Sequence, residues 1–100
     1  MIVALSRFVV ANDEMAESVR NAFQSRPHLV DNAPGFLGME VMSPVGSPTE
    51  IFLYTRWSDV DCYNNWHDSH QYHKSHEGMP KGLKLVPHST SIQILEVFAQ

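Results

Sequence analysis

The feature that most constrains the fold is a set of four short strand-like segments, most of which are apolar on both faces. They span residues 2–10, 36–42, 51–57 and 91–99. Side chains alternate between the two faces of a β-strand, so a strand that is apolar on both faces predicts a sheet covered on both sides. In the last segment, Ile92, Ile94 and Phe98 are expected to face one way and Leu95 and Val97 the other.

A helical segment follows the first strand. Asn12 is a suitable N-cap for it. Apolar residues then recur at helical spacing and predict an inward-facing stripe of Met15, Val19, Ala22 and Phe23. Pro27 predicts a break near Arg26, because proline removes a helical hydrogen bond. A short second piece is expected to carry Leu29 and Val30.

A second helix is predicted after the third strand. Ser58 with Asp61 three residues later matches a capping box that starts a helix. Val60, Tyr63 and Trp66 then fall on one side of that helix. A histidine-rich stretch follows, and the glycines and prolines between residues 78 and 87 predict a loop before the last strand.

The order of these segments is β-α-β-β-α-β, which predicts an α+β, ferredoxin-like antiparallel sheet. A chain of 100 residues has room for one core, so we expect a single domain over residues 1–100. Two helices on one face leave the other apolar face bare. A second copy of the sheet is the economical cover, so the pattern predicts a homodimer that forms an α/β-barrel.

Composition excludes several classes of function. The net charge of -4, with seven Lys and Arg in total, argues against a nucleic-acid partner. No apolar run reaches the roughly 20 residues of a membrane span, and no signal peptide is evident. Cys62 is the single cysteine, which excludes an internal disulfide and suits a reducing compartment. The sequence therefore predicts a soluble cytoplasmic protein.

Histidines recur at three-residue intervals late in the chain, at His67, His70, His73 and His76. Each step of three turns about 300° around a helix, so all four cannot share one metal ion. A pair such as His73 and His76 could chelate a metal, but no third ligand is evident. We interpret the first three as solvated helix residues. His76 lies where the helix should stop, and from there its ring could project into a cleft and bind iron.

Aromatic residues allow two interpretations. Trp66, on a stripe with Val60 and Tyr63, is either a core residue or a rigid wall beside a flat ligand. Phe23 has the same ambiguity, and Cys62 is most simply a small buried hydrophobe. No paired catalytic carboxylates, phosphate-binding loop or nucleophile motif is present.

Two motifs carry a family resemblance over nearly all 100 residues. The run 32–40, NAPGFLGME, resembles the motif that the antibiotic biosynthesis monooxygenase superfamily has between its first helix and second strand. Trp66 and His76, ten residues apart, resemble the pocket tryptophan and axial histidine of the bacterial heme-degrading monooxygenases within that superfamily.

The resemblance implies a heme-degrading monooxygenase in which heme is both substrate and cofactor. It assigns His76 as the ligand of the heme iron and Trp66 as the side chain that buckles the porphyrin and exposes a meso carbon to oxygen. Phe23 and Arg26 would line the same pocket, with Arg26 neutralising a propionate. An external electron donor, either a reductase or a small reductant, would supply electrons, and ring opening would release iron.

One departure from the family pattern leaves alternatives open. The family usually has an asparagine in the first strand that donates a hydrogen bond to the distal ligand, and Ser6, flanked by Arg7, takes that position here. Serine is catalytic in this assignment, although its shorter hydroxyl could act through a water. The alternatives are a non-catalytic heme carrier or sensor, and a cofactor-free oxygenase or isomerase acting on a phenolic or quinone-like molecule, with His76 as a base.

Overall fold

The computed structural model describes residues 1–26, 28–69 and 83–100. The strands are β1 (Ile2–Val9), β2 (Phe36–Met42), β3 (Glu50–Trp57) and β4 (Ser91–Glu96). The helices are α1 (Asp13–Gln24), α2 (Val60–His67) and a short 3-10 helix (Leu29–Asn32). The described elements therefore follow the predicted β-α-β-β-α-β order.

The four strands form one sheet in the order β2-β3-β1-β4, and every neighbouring pair is antiparallel. This is the ferredoxin-like arrangement that the sequence predicts. The register decides which side chains share a face. Ser6 lies between Leu53 and Ile92, and all three face the helices, whereas Leu5 and its partner Tyr54 point to the opposite face.

Among the described residues, the core between the sheet and the helices contains two clusters of buried side chains. The first comprises Val10, Ala16, Val19 and Ile51. The second comprises Ala4, Val30 and Trp57. Met15 and Phe23 pack against the first cluster, and Tyr63 and Trp66 against the second. The predicted stripe on α1 is therefore inward-facing, whereas Val60, at the start of α2, is 42% exposed.

The opposite face of the sheet presents apolar side chains such as Leu5, and its charges are paired. Nε of Arg7 lies 3.0 Å from a carboxylate oxygen of Glu50. Nη1 of Arg56 lies 2.9 Å from a carboxylate oxygen of Glu40. Because each arginine already has an acidic partner on the same face, this surface combines apolar side chains with internally neutralised charge.

The second helix begins differently from the prediction, because its N-cap is Asp59 rather than Ser58. The Asp59 carboxylate accepts a hydrogen bond of 2.8 Å from the backbone N–H of Cys62. Ser58 instead belongs to the turn before the helix, where its backbone N–H and its hydroxyl both donate to the carbonyl of Gly35. The predicted capping box of Ser58 and Asp61 is therefore wrong.

The last strand is shorter than predicted, ending at Glu96 rather than at residue 99. Its partner strand β1 begins at Ile2, which pairs with Glu96. Residues after Glu96 therefore have no further residue of β1 to pair with. Beyond it, one hydrogen bond joins the N–H of Val97 to the carbonyl of Met1. Phe98 lies outside the strand and is 94% exposed, so its predicted place on the face of Ile92 is wrong.

Replacing Gly35 with alanine is expected to destabilise the fold by roughly 2–5 kcal/mol. The backbone φ of Gly35 is +80°, a region that costs other residues about 1–2 kcal/mol. A Cβ there would also meet Sγ of Cys62 at 2.5 Å, and overpacking of this kind costs about 1–3 kcal/mol. Urea denaturation measures the change.

The matched control is Gly46→Ala. The φ of Gly46 is +86°, but a Cβ there would have nothing within 4 Å. It should therefore cost only the backbone contribution of about 1–2 kcal/mol. Equal losses for the two variants would show that the contact with Cys62 adds nothing.

Candidate functional site

A cavity of about 410 Å³ lies on the helix-facing side of the sheet, within the size range of small-molecule sites. Its walls are contributed by all four strands, by α1 and α2, and by the segments that follow α1 and precede β4. Most lining side chains are apolar: Ala4, Phe8, Ala22, Phe23, Leu29, Val30, Met39, Leu53, Trp57, Trp66, Leu83, Leu85 and Ile92. The polar lining residues are Ser6, Arg7, Arg26, His28, Thr55, Tyr63 and Thr90.

The structure brings four of the five predicted site residues to this one cavity. Ser6 comes from β1, Phe23 from α1, Arg26 from the segment after α1, and Trp66 from α2. The fifth residue, His76, lies in the stretch 70–82, outside the described residues. The roles predicted for these side chains remain predictions, although their meeting at one cavity is a structural finding.

Trp57 forms the floor of the cavity and is completely buried. Its indole N–H donates a hydrogen bond of 3.0 Å to the hydroxyl of Thr55. That hydroxyl in turn donates to the backbone carbonyl of Ala4, at 3.3 Å. The ring also meets Phe36 and Tyr63 edge-on, at centroid distances of 5.3 and 5.9 Å. This floor is therefore rigid and has its polar groups satisfied.

Trp66 serves the core and the cavity together. It packs against the cluster that contains Trp57 and also lines the cavity, so the two sequence interpretations of this residue do not exclude each other. The end of α2 lies close by, where the hydroxyl of Ser69 donates to the carbonyl of Trp66 at 2.6 Å.

At the start of the helix, the hydrogen bond to Asp59 and partial burial raise the pKa of the Cys62 thiol, which favours a neutral packing residue.

A hydrogen-bonded set of side chains at the cavity consists of Arg26, Asp31 and His28. Nη1 of Arg26 donates to one carboxylate oxygen of Asp31 at 2.9 Å. Nδ1 of His28 lies 3.1 Å from the other oxygen, and a carboxylate can only accept, so the ring donates. Burial acts to raise the pKa of Asp31, but the hydrogen bonds from Arg26 and His28 outweigh it and hold the pKa below its ordinary value.

Replacing Asp31 with asparagine is expected to lower the melting temperature at neutral pH and to have no effect in acid. Because the folded chain lowers the pKa of Asp31, its carboxylate stabilises the fold above an unfolded pKa of about 3.9. That stabilisation is lost as the pH falls through the folded pKa. The group is partly exposed, so the loss at pH 7 should stay within about 1 kcal/mol. Thermal melts between pH 2 and pH 7 test this.

Glu17→Gln is the control for that experiment, because Glu17 is exposed on α1 and no ion pair is seen for it among the described residues. Its melting curve should run parallel to that of the unmodified chain at every pH. A difference between Asp31→Asn and the unmodified chain that persists at the acid end would contradict an electrostatic origin.

Ser6 is the one hydroxyl of β1 that faces the cavity. Within the described residues, no hydrogen bond occupies that hydroxyl. It can therefore donate to, or accept from, a bound molecule or a bridging water. Together, the site offers a large apolar wall, several hydroxyls that include that of Ser6, and the two arginines Arg7 and Arg26, which suits a flat apolar molecule that carries an anionic group.

Sequence reasoning missed two contributors to this cavity. Trp57 was expected to be an ordinary strand residue, although its alternation with Thr55 already placed both on one face. His28 lies in the left-handed backbone region, with φ of 58°, and this conformation directs it toward Asp31. Histidine adopts that region more often than most residues, but nothing in the sequence around Arg26 marks it.

Two further observations concern residues 1–26, 28–69 and 83–100. No three His, Cys, Asp or Glu side chains there lie close enough together to hold a metal ion. No helix in those ranges combines the length and hydrophobicity that a membrane-spanning helix requires.

The comparisons with known proteins agree with this architecture. The family model described as antibiotic biosynthesis monooxygenase matches residues 1–78. Two curated relatives from strains of Mycobacterium tuberculosis, each named heme oxygenase (mycobilin-producing), are 36% identical over 44 residues. That match covers 44% of this chain and 42% of each relative, so it spans less than half of their length.

Solved structures extend the similarity to the whole fold. The heme-degrader MhuD of Mycobacterium tuberculosis, with two hemes bound in its active site, has a TM-score of 0.80 at 23% identity, over 100% of this chain and 98% of that one. SnoaB of Streptomyces nogalater, a cofactor-independent oxygenase, has a TM-score of 0.76 at 11% identity, over 99% and 94%. At these identities the likeness concerns the fold alone.

Proposed function

Because the chain belongs to the antibiotic biosynthesis monooxygenase family, we propose that it is a monooxygenase that binds heme in the cavity of about 410 Å³ and opens the porphyrin ring. Heme is the substrate, O₂ and an external electron donor are consumed, and iron is released. One observation carries the proposal: Ser6, Phe23, Arg26 and Trp66, which the family resemblance assigns to a heme pocket, line the same cavity.

The residues present fit a heme. Its macrocycle is flat and apolar, and the cavity offers the partly exposed aromatic side chains of Phe23 and Trp66 as walls. Its propionates are anionic, and Arg26 brings a cation to the same cavity. When bound, heme supplies a redox-active iron at which O₂ is activated.

The side chains of this chain bind and orient the substrate. Trp66 is held from behind by the cluster around Trp57, so its indole acts as a rigid wall that constrains the shape of a bound ring. Arg26 orients a propionate by exchanging its carboxylate partner Asp31 for that of the ligand. The apolar lining excludes water, which strengthens each of these polar contacts. His76 is the proposed ligand of the iron.

The test is a hemin titration followed by addition of ascorbate in air. Binding should produce a Soret band, and the band should then disappear as the ring opens, with iron appearing in a chelator assay. Loss of the band in buffer without protein sets the background rate. A Soret band that persists for many hours with reductant would contradict degradation.

Ser6 favours one second candidate, a heme carrier or sensor that does not degrade its ligand. The hydroxyl of Ser6 is shorter than the amide that the family uses, so it reaches a distal ligand less directly. Ser6→Asn distinguishes the two functions. Faster loss of the Soret band in Ser6→Asn than in the unmodified chain would show that the serine limits turnover, and a stable band in the unmodified chain would select the carrier.

The proposed enzyme is a cytoplasmic homodimer in which the two open sheet faces pack together. Leu5 and Tyr54 lie on that face, and the arginines there are already paired with Glu50 and Glu40. A second copy can therefore cover the face without burying an unpaired charge. Light scattering should give twice the chain mass of 11.3 kDa. Leu5→Glu should give the monomer, and a monomeric unmodified chain would contradict the dimer.

A further inference from the structure

A second cavity of about 450 Å³ lies between α1 and the hairpin formed by β2 and β3. Phe23, Arg26 and Met39 line both cavities, so they form a shared wall. The proposed heme chemistry uses Phe23 and Arg26 of the shared wall and none of the residues that line the second cavity alone. Its volume is in the range of sites that hold drug-sized molecules.

The base of the second cavity is apolar and buried. Val19 is completely buried and Ile51 is 4% exposed, and both belong to the first core cluster. Phe23 lies one helical turn after Val19 and packs against this buried base. The accessible apolar surface of the cavity comes from Phe23, Met39 and Val41, of which Val41 is 36% exposed. An apolar body placed there gains from burial against side chains that are already fixed.

The charges of this cavity all have one sign. Its charged lining residues are Arg20 and Arg26, and no acidic side chain of the described chain lines it. Arg26 is paired with Asp31. Arg20 forms no ion pair or hydrogen bond within residues 1–26, 28–69 and 83–100. The uncompensated guanidinium lies beside the apolar wall, together with the amide of Gln24 one turn later.

We propose that this second cavity is a binding site for an amphipathic organic anion. A carboxylate or sulfonate of the ligand pairs with Arg20, and an aliphatic or aromatic body lies on Phe23, Met39 and Val41. The guanidinium can bind such a group in a bidentate, charge-assisted manner. This inference goes beyond the proposed heme chemistry and does not rest on it.

The test uses two dyes that share one aromatic body. The probe 8-anilinonaphthalene-1-sulfonate carries the anion, and N-phenyl-1-naphthylamine is its neutral counterpart. Arg20→Gln should raise the Kd of the sulfonate about tenfold or more, as expected for loss of a charge-assisted hydrogen bond, and should leave the Kd of the neutral dye unchanged. Glu17→Gln, on the same helix but outside both cavities, should change neither. Equal affinities of Arg20→Gln and the unmodified chain for the sulfonate would overturn the proposal.

Amide chemical shifts locate the bound dye. Addition of the sulfonate should move the backbone resonances of Arg20, Gln24 and Ser43, which line the second cavity alone. Shifts confined to Ser6 and Trp66 would place the dye in the first cavity and overturn the proposal. Hemin titration of Arg20→Gln separates the two hypotheses: unchanged hemin binding with weakened dye binding supports the second site, whether or not hemin is degraded.

Discussion

Replacing His76 with alanine is expected to raise the Kd of hemin at least about thirtyfold, on the order of 2 kcal/mol, and to abolish ring opening. In the proposed function, the imidazole of His76 binds the heme iron. Its removal therefore leaves the macrocycle held by apolar contacts and by Arg26 alone. The cavity walls remain, so weak binding should persist. Hemin titration by Soret absorbance gives the affinity, and absorbance loss with ascorbate gives the activity.

His67→Ala is the matched control, because it removes an imidazole from the same histidine-rich stretch. His67 ends α2, and its ring lies against Tyr63 at a centroid distance of 5.8 Å. Its loss should leave both the Soret band and the degradation rate close to those of the unmodified chain. Equal hemin affinities for His76→Ala and the unmodified chain would contradict iron ligation by His76. Retention of oxygenase activity without hemin would instead favour the cofactor-free alternative.

The order and type of the elements followed from local patterns, and so did some of their ends, but not all. The bounds of β2 were predicted correctly at Phe36–Met42, because a turn precedes it and a proline-containing connection follows it. The N-cap of α1 at Asn12 was also correct, since its side chain accepts from Met15 as capping requires. At α2, two neighbouring residues, Ser58 and Asp59, could each serve as the N-cap. The tertiary contact of Ser58 with Gly35 decided between them, and a sequence pattern does not contain that contact.

The residues of the candidate site were less predictable from local patterns than the elements of the fold. The family resemblance named Ser6, Phe23, Arg26 and Trp66, and spacing alone could not have done so, because they come from four separate segments. The ion pair that holds Arg26 was invisible to sequence reasoning. It depends on a backbone conformation beyond the end of α1, where local propensity is weak. A propionate at Arg26 must therefore compete with a carboxylate that the chain itself supplies, which lowers the expected gain from that contact.

The two tryptophans of the first cavity should differ sharply in what their removal costs. Trp57→Ala is expected to lower the free energy of unfolding by about 3–5 kcal/mol, the range for large aromatic side chains in cores. Trp57 is 0% exposed, and its loss would also remove the edge-on contacts with Phe36 and Tyr63. Domains of this size are stable by only about 5–15 kcal/mol, so this loss is a large fraction of the total. Urea denaturation at one fixed protein concentration measures the loss.

Trp57→Phe and Trp66→Ala separate the contributions of the two tryptophans to stability and to hemin binding. Trp57→Phe keeps most of the ring but removes the donor to Thr55, whose hydroxyl still donates to the carbonyl of Ala4. No buried donor is left unpaired, so the cost should be near 1–2 kcal/mol. Trp66 is only partly buried, so Trp66→Ala should cost less stability than Trp57→Ala while weakening hemin binding more than Trp57→Phe does. If Trp66→Ala proved the more destabilising of the two alanine variants, Trp66 would be chiefly a core residue and its proposed role as a wall against the macrocycle would lose its basis.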